Sequence, residues 1–407
     1  MKPRNKLKIL NDPIYGFITI PSERIFDLIE HSYFQRLRRI SQMGMSYLVY
    51  PGAHHTRFHH ALGCMHLMRS ALDVLKFKGV KISDKEEEAL LIAILLHDIG
   101  HGPFSHAMEN SIVEAVGHEW ISLKFMKKMN EDFDGQLSLA IEIFKGNYHR
   151  KFFGQLIASQ LDIDRLDYLK RDSFYTGVAE GNINSERIIT MLNVANDELV
   201  IEQKGIYSVE KFLVARRLMY WQVYLHKTSL GAEQLVIRVF KRAKELINEG
   251  VNLPCSKALD YFLCHKIGEK EFGSETLETF SRLDDYDLVL AMKEWISAED
   301  KVLSSLCKMV INRDLLKVKL KNQDIPEKLL AKELKAVQRD LKLSETEARY
   351  FVFKGKVSNL AYDPEKSSIK IYHKNGKMSD VASVSDQLNL KALSRSVDKF
   401  YICHPKH

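Results

Sequence analysis

The sequence predicts a mostly α-helical protein with a small α+β segment at its C-terminus, and three observations carry that expectation. Apolar residues recur at three- and four-residue spacing from about residue 22 to 245, as in Ile25/Leu28/Ile29, Leu62/Met65/Leu72/Leu75 and Phe212/Leu213/Leu218/Trp221/Leu225. Pro51-Gly52, Gly100, Gly102-Pro103 and Gly177 punctuate that pattern where helices must stop. Beyond residue 346 the period shortens to two, in Arg349-Tyr-Phe-Val-Phe and Ile369-Lys-Ile-Tyr-His, and Lys374-Asn375-Gly376-Lys377 is a hairpin-turn signal.

Taken in order, residues 11–20 read as a turn followed by a short strand or hairpin arm. A main helical domain is expected over 1–245, a more charged helical extension over 246–345, and the α+β segment over 346–407. A chain of 407 residues is long for one core, so more than one unit is the default. With 45% apolar and 28% charged residues the composition is that of a globular protein, and no stretch has the length of a membrane span. The basic start Met1-Lys-Pro-Arg-Asn-Lys lacks the apolar run of a signal peptide. Five scattered cysteines (64, 255, 264, 307, 403) contain no Cys-x-x-Cys pair, which argues against a zinc ribbon or disulfide framework and suits a cytoplasmic protein without a membrane partner. The formal charge of +7 fits a phosphate-bearing ligand, a nucleic acid included, and fits a lysine-rich solvated surface equally well.

Chemistry concentrates in one stretch. His97-Asp-Ile-Gly-His-Gly-Pro-Phe-Ser-His106 follows an apolar run, and nine of the 16 histidines fall between positions 54 and 118. An imidazole and a carboxylate side by side at the end of a buried helix suit one divalent cation, since burying them without a metal or counter-charge is costly. A metal needs further ligands. His54-His-Thr-Arg-Phe-His-His60 opens a helix with imidazoles in its first turn, and Asp164 sits in a helical stretch among Leu161, Ile163 and Leu166. His60, His97, Asp98 and Asp164 together make an N₂O₂ set. The spacing His97-x-x-x-His101 matches the zinc-protease motif, but Gly100, Gly102 and Pro103 deny it the uninterrupted helix that motif requires.

The order His … His-Asp … Asp resembles the signature of the HD superfamily of metal-dependent phosphohydrolases, most closely its dNTP triphosphohydrolase branch. The stretches carrying the resemblance are Asn11-Asp-Pro-Ile-Tyr-Gly, Phe34-Gln-Arg-Leu-Arg38, Tyr50-Pro-Gly-Ala-His-His-Thr-Arg-Phe-His-His60, His97 to His106, His118-Glu119, Asp162-Ile-Asp-Arg-Leu-Asp-Tyr168, Arg171-Asp172 and Tyr224-Leu-His-Lys227. They cover roughly residues 8–240 and imply an HD-domain helical core. The resemblance implies a divalent metal (Mn, Fe, Zn, Ni or Mg) on His60, His97, Asp98 and Asp164. It implies dNTP hydrolysis to deoxynucleoside and inorganic triphosphate. His101, His106 and His118 would line the α-phosphate, with His106 protonating the leaving oxygen and His118 and Glu119 supporting it. Arg57 would hold the α-phosphate, and Arg165 and Arg216 the outer phosphates. Gln42, Tyr168 and Asp172 match residues around the sugar. Tyr224 matches one packed under it, and Tyr220 stands where the mammalian member has a histidine. Arg165 replaces a lysine of that pattern, and Glu109 replaces an aspartate beside the proton donor. Lys8, Glu30, Gln35 and Arg38 match a second, allosteric site for a guanine nucleotide, which implies a homo-oligomer, dimer or tetramer.

Other residues take plainer roles. His31, His66, His149, His265, His373, His404 and His407 read as hydrogen-bonded or surface residues. Only one of each pair His54/His55 and His59/His60 can face a metal. Arg36 and Arg39 read as a solvated helix face, Tyr220 and Tyr224 admit a core-packing role, and Asp162 and Asp167 read as cap or salt-bridge partners.

Overall fold

The first element shows how a short motif becomes structure. Asp12 closes its own turn, its Oδ1 accepting from Ile14 N at 2.9 Å and Tyr15 N at 3.0 Å, and Gly16 takes φ +73°. The result is an antiparallel hairpin, β1 (Ile9–Asp12) with β2 (Gly16–Thr19). The computed structural model describes residues 8–108, 111, 113, 116–386 and 393–406; Glu109 and the side chain of His106 lie outside the described residues. Helix accounts for 56% of the chain, as the mostly α reading expects.

Ser22 caps α1 (Glu23–Glu30), and α2 (Ser32–Gln35) follows it. Thr56 and His59 form a capping box at the start of α3 (Arg57–Phe77). Ser83 and Glu86 do the same for α4 (Asp84–Leu96). From Ala89 to Leu96 α4 is buried on every side, the mark of a central helix, and it packs along α3. Its apolar run ends at His97, so the site begins where the core helix stops. Next come α5 (His118–Asp132) and α6 (Ile163–Thr176). Asp162 caps α6 and Gly177 ends it at φ +73°. Then follow α7 (Ile206–Met219) and α8 (Lys227–Asn248). Between the last two, Tyr220–Tyr224 form a π-helical turn, with Leu225 N donating to Tyr220 O at 2.7 Å. The extension adds further helices, among them α9 (Asp285–Trp295) and α10 (Lys301–Ile311).

The strands depart most from expectation. β3 (Leu192–Ala195) and β4 (Glu198–Glu202) form a hairpin inside the stretch read as helical. Its turn is Asn196-Asp197, both left-handed at φ +53° and +59°, a primed turn that helical periodicity does not reveal. β5 (Lys317–Lys321) interrupts the helical extension. In the C-terminal segment, residues 349–352 turn out of a short helix and β6 (Phe353–Asn359) starts only at Phe353. The hairpin around Gly376 is present as β7 (Lys370–Tyr372) and β8 (Met378–Asp380), followed by β9 (Val397–His404). Two sheets join distant segments. β5-β9-β6 is antiparallel, with Val318 and Phe353 both opposite Cys403, and β4 pairs in parallel with β7 within β3-β4-β7-β8. Among the described residues no helix is long and apolar enough to cross a membrane.

Candidate metal centre

Three elements deliver the proposed ligands to one point. His60 comes from the first turn of α3, His97 and Asp98 from the end of α4, and Asp164 from the first turn of α6. His60 Nε2 lies 3.1 Å from Asp164 Oδ1 and 3.6 Å from Asp98 Oδ2. His97 Nε2 lies 3.4 Å from Asp98 Oδ1 and 3.7 Å from Asp164 Oδ1. Both imidazoles are oriented from behind. His60 Nδ1 is held by Asp167 Oδ2 at 2.7 Å and His97 Nδ1 by Ile94 O at 2.6 Å, so each presents Nε2 to the cluster. Asp167 is fixed in turn by Arg171, through Nε at 2.9 Å and Nη2 at 3.0 Å, and Arg171 Nη1 donates to Asp12 Oδ2 at 2.8 Å. The N-terminal hairpin is thereby tied to the candidate ligands. Asp162 and Asp167 act as expected, one capping α6 and pairing with Arg165, the other in this buried network.

Electrostatics favour a cation. Burial opposes charge on every one of these groups, yet their closeness outweighs it. The adjacent Cys64 sulfur, then hydrogen bonds to Asp164 and Asp167, hold His60 well above the imidazole range, and Asp98 and Asp164 raise His97. Against the same burial, His97 and Arg57 hold Asp98 well below the carboxylate range, and His60 and His97 do so for Asp164. A divalent cation bound at the Nε2 atoms would compete with protons there. His97 Nε2 is also buried without a hydrogen-bond partner among the described residues. An orphaned imidazole nitrogen facing two carboxylates fits a bound metal. Cys64, one turn along from His60, is the member that sequence reasoning missed, and its donor atom groups with those of His60, His97 and Asp164 within 4.8 Å. Its sulfur is equidistant from both His60 nitrogens at 3.6 Å, and burial pushes its thiol up, so it packs on the ring rather than sharing the aim of Nε2. Asp98 also faces His101 Nε2 at 3.4 Å, and His101 stacks on His118 at 3.9 Å between centroids. Burial and then Arg57 hold His101 well below the usual imidazole value. Glu119 is exposed in the first turn of α5.

Gly100 makes this loop possible. A Cβ there would lie 2.8 Å from Ile121 C, and nearer still to Ser122 N and His118 O, backbone atoms that cannot yield. Arg36, read from sequence as solvated, is fully buried: Nε donates to Leu283 O at 2.9 Å, Nη1 to Ile99 O at 3.3 Å and Nη2 to His101 O at 2.7 Å. The correction has a simple cause, since the loop's carbonyls need donors and helical periodicity does not show them. Arg39 is exposed and pairs with Asp284.

Five of the residues assigned to the substrate, Tyr168, Asp172, Arg216, Tyr220 and Tyr224, also meet. Asp172 accepts from Tyr224 OH at 2.7 Å and pairs with His55 Nε2 at 2.7 Å, while His54 is exposed. His55 was not singled out in the sequence, and only its place beside His54 hinted at a buried partner. Tyr224 lies 6.0 Å from Tyr168 and 5.2 Å from Tyr220 between ring centroids. The π turn widens the helix there, so Tyr220 and Tyr224 are not stacked on a regular helix face. Arg216 Nη1 donates to Gln160 Oε1 at 3.2 Å, and its guanidinium lies 5.9 Å from the Tyr220 ring. Arg165 Nε, Arg216 Nε and Gln42 Oε1 are buried without a partner among the described residues. Arg57 Nη1 pairs with Asp98 Oδ2. Of the residues expected from resemblance at a second nucleotide site, Gln35 Oε1 accepts from Arg38 Nε at 2.8 Å and Gln35 Nε2 donates to Ile29 O at 2.7 Å. Lys8 sits over Phe26 at 4.6 Å, and Glu30 is exposed at the end of α1.

The HD domain model matches residues 57–172 and the HD associated region model residues 183–254. A crystal structure of a phosphohydrolase from Bacteroides thetaiotaomicron is 51% identical, covers 98% of this chain and 100% of its own, and superposes with a TM-score of 0.95. The uncharacterized protein YwfO of Bacillus subtilis is 36% identical over 77% of this chain and 72% of its own length. The deoxynucleoside triphosphate triphosphohydrolase SAMHD1 homolog of Dictyostelium discoideum is 31% identical over 60% of this chain, which spans 51% of that protein. With its His/Asp cluster at the end of the core helix, the chain belongs to the HD-domain phosphohydrolase family.

Proposed function

We propose that the protein hydrolyses deoxynucleoside triphosphates to deoxynucleoside and inorganic triphosphate. The observation that carries the reading is the pairing of two environments. On the same helix as Asp164 lie Tyr168 and Asp172, the latter hydrogen-bonded to both His55 and Tyr224, with Tyr220 beside Tyr224, and Arg165 and Arg216 each keep a buried donor without a partner among the described residues. Aromatic walls suit a sugar and base, and spare guanidinium donors suit phosphate oxygens. The SAMHD1 homolog supports the same substrate class.

A divalent cation on His60, His97, Asp98 and Asp164 would supply Lewis acidity and ready a water for attack. The chain's own residues do the rest. Arg57 neutralises the α-phosphate, and Arg165 and Arg216 hold the outer phosphates. Water adds its oxygen to the α-phosphorus and releases a proton to solvent, the P–O5′ bond breaks, and the 5′-oxygen takes a proton from His106, which solvent then reprotonates; the role of His106 is assigned by resemblance. His101, kept neutral, serves as a hydrogen-bonding wall with His118. Asp172 and Gln42 bind the 3′-hydroxyl. The surface group Lys8, Glu30, Gln35 and Arg38 is the proposed site for an activating guanine nucleotide, in a homo-oligomer.

The test is product analysis after incubation with all four dNTPs and Mn²⁺ or Mg²⁺, with and without GTP. Deoxynucleoside and triphosphate, absent in His97→Ala, support the reading; acceleration and a change of assembly with GTP support the allosteric part. Intact dNTPs under every condition would remove it, and turnover of a monophosphate, alarmone or cyclic nucleotide instead would redirect the substrate.

A further inference from the structure

One carboxylate outside both matched regions is tied to this site. Asp285, in the first turn of α9, is 6% exposed; its Oδ1 accepts from Phe104 N at 2.7 Å and its Oδ2 from Ser41 N at 2.8 Å. These two amides belong to loops distant in sequence, and both loops reach Arg57. Phe104 and Ser105 are consecutive left-handed residues, at φ +52° and +54°, with side chains that disfavour that region. Such a pair persists only where its surroundings hold it. The conformation turns Ser105 so that Oγ donates to Ser41 O at 2.7 Å and accepts from Arg57 Nε at 2.8 Å. Arg57 then places Nη1 on Asp98. The chain of contacts runs Asp285, Phe104 and Ser41, Ser105, Arg57, Asp98.

We propose that Asp285 is a positioning residue for Arg57, holding the left-handed Phe104-Ser105 turn so that Ser105 fixes the guanidinium against the metal centre. Its hydrogen bonds among the described residues go to these two amides and to none of the four candidate metal ligands. The helical extension is then a working part of the hydrolase, which the HD core does not complete alone. The role of Arg57 at phosphate rests on the function proposed above; the clamp does not.

The experiment is a double-mutant cycle of Asp285→Asn and Ser105→Ala in the full chain. Asparagine keeps the size but offers an N–H where one of the two amides needs an acceptor. If Asp285 acts through Ser105, each variant lowers kcat/KM by about tenfold to a hundredfold. The double variant then falls no more than about threefold below the worse single, and Mn²⁺ affinity measured by calorimetry stays near wild type. Losses that multiply, or equal losses of Mn²⁺ binding, would overturn the proposal, because they describe general loosening of the fold. Should Asp285→Asn not fold, Ser105→Ala decides alone: it leaves both Asp285 bonds in place, and unchanged turnover would refute the link to Arg57. Should the wild type leave dNTPs intact, the same cycle is read as affinity of the Mn²⁺-loaded protein for inorganic triphosphate. Non-additive weakening there supports the clamp even as the substrate reading fails, and additive or absent weakening overturns it.

Discussion

Gly63 sits inside α3, where helix propensity alone says that alanine should stabilise by about 1 kcal/mol. The structure reverses that sign. An ideal Cβ at position 63 would lie 2.8 Å from Asp167 Cγ, and nearer still to Asp167 Oδ1 and Arg171 Nη2. To regain ordinary contact at 3.4 Å the carboxylate carbon must retreat by about 0.6 Å and the nearer oxygen by more than that. Neither group can retreat freely, since both are fully buried and hold each other, His60 and Asp12. Loosening a buried ion pair costs about 3–5 kcal/mol when a partner is lost, and overpacking about 1–3 kcal/mol. Against the helix gain, Gly63→Ala should destabilise by about 2–4 kcal/mol, read as a lowered denaturant midpoint of metal-free protein. Because Asp167 orients His60, Mn²⁺ affinity by calorimetry should also weaken, by about 10- to 100-fold. A variant as stable as wild type with undiminished Mn²⁺ affinity would refute the reasoning that this network sets the metal site.

Three further outcomes follow from other parts of the fold. Burial opposes it, but Ser83, Tyr148 and Arg150 hold the Glu86 carboxyl down to about 2 from 4.5, so its stabilisation is present above pH 4.5 and lost as pH falls towards 2. Glu86→Gln should flatten that limb of the acid unfolding curve, and identical curves for the two proteins would contradict it. Arg36→Lys cannot satisfy three carbonyls with the geometry of a guanidinium, and should cost about 2–4 kcal/mol in denaturant unfolding; a neutral result would mean that those carbonyls find other donors. On the proposed reaction, Tyr224→Ala opens space beside Asp172, so the ratio of ribonucleotide to deoxyribonucleotide turnover should rise about tenfold. An unchanged ratio would move sugar discrimination elsewhere.

Much of the site was legible because its residues announce chemistry in pairs. His97-Asp98 after an apolar run, and Asp164 flanked by apolar neighbours, mark buried polar groups that need a partner, and the fold brings them together with His60. Asp162 and Asp167 read as cap and ion-pair partners for the same reason. What stayed hidden depends on backbone groups. Arg36 resembles any surface arginine until the unsatisfied carbonyls of Leu283, Ile99 and His101 are seen around it. His55 and Asp285 carry no spacing signal, since their partners Asp172, Phe104 and Ser41 lie far along the chain.

The same division holds for the whole protein. Local periodicity, caps and punctuation determine where α3, α4 and α6 begin and end, because those effects act within a turn or two of chain. The HD order of ligands determines the reaction family, because metal chemistry restricts which side chains can serve. Tertiary structure alone decides that β4 pairs with β7 and β5 with β9, since strand partners are chosen by burial and register between segments far apart in the chain, Val200 with Lys370 and Lys317 with His404. It alone decides that an aspartate of the extension reaches the HD loop, because a buried amide takes whatever acceptor packing brings within 3 Å.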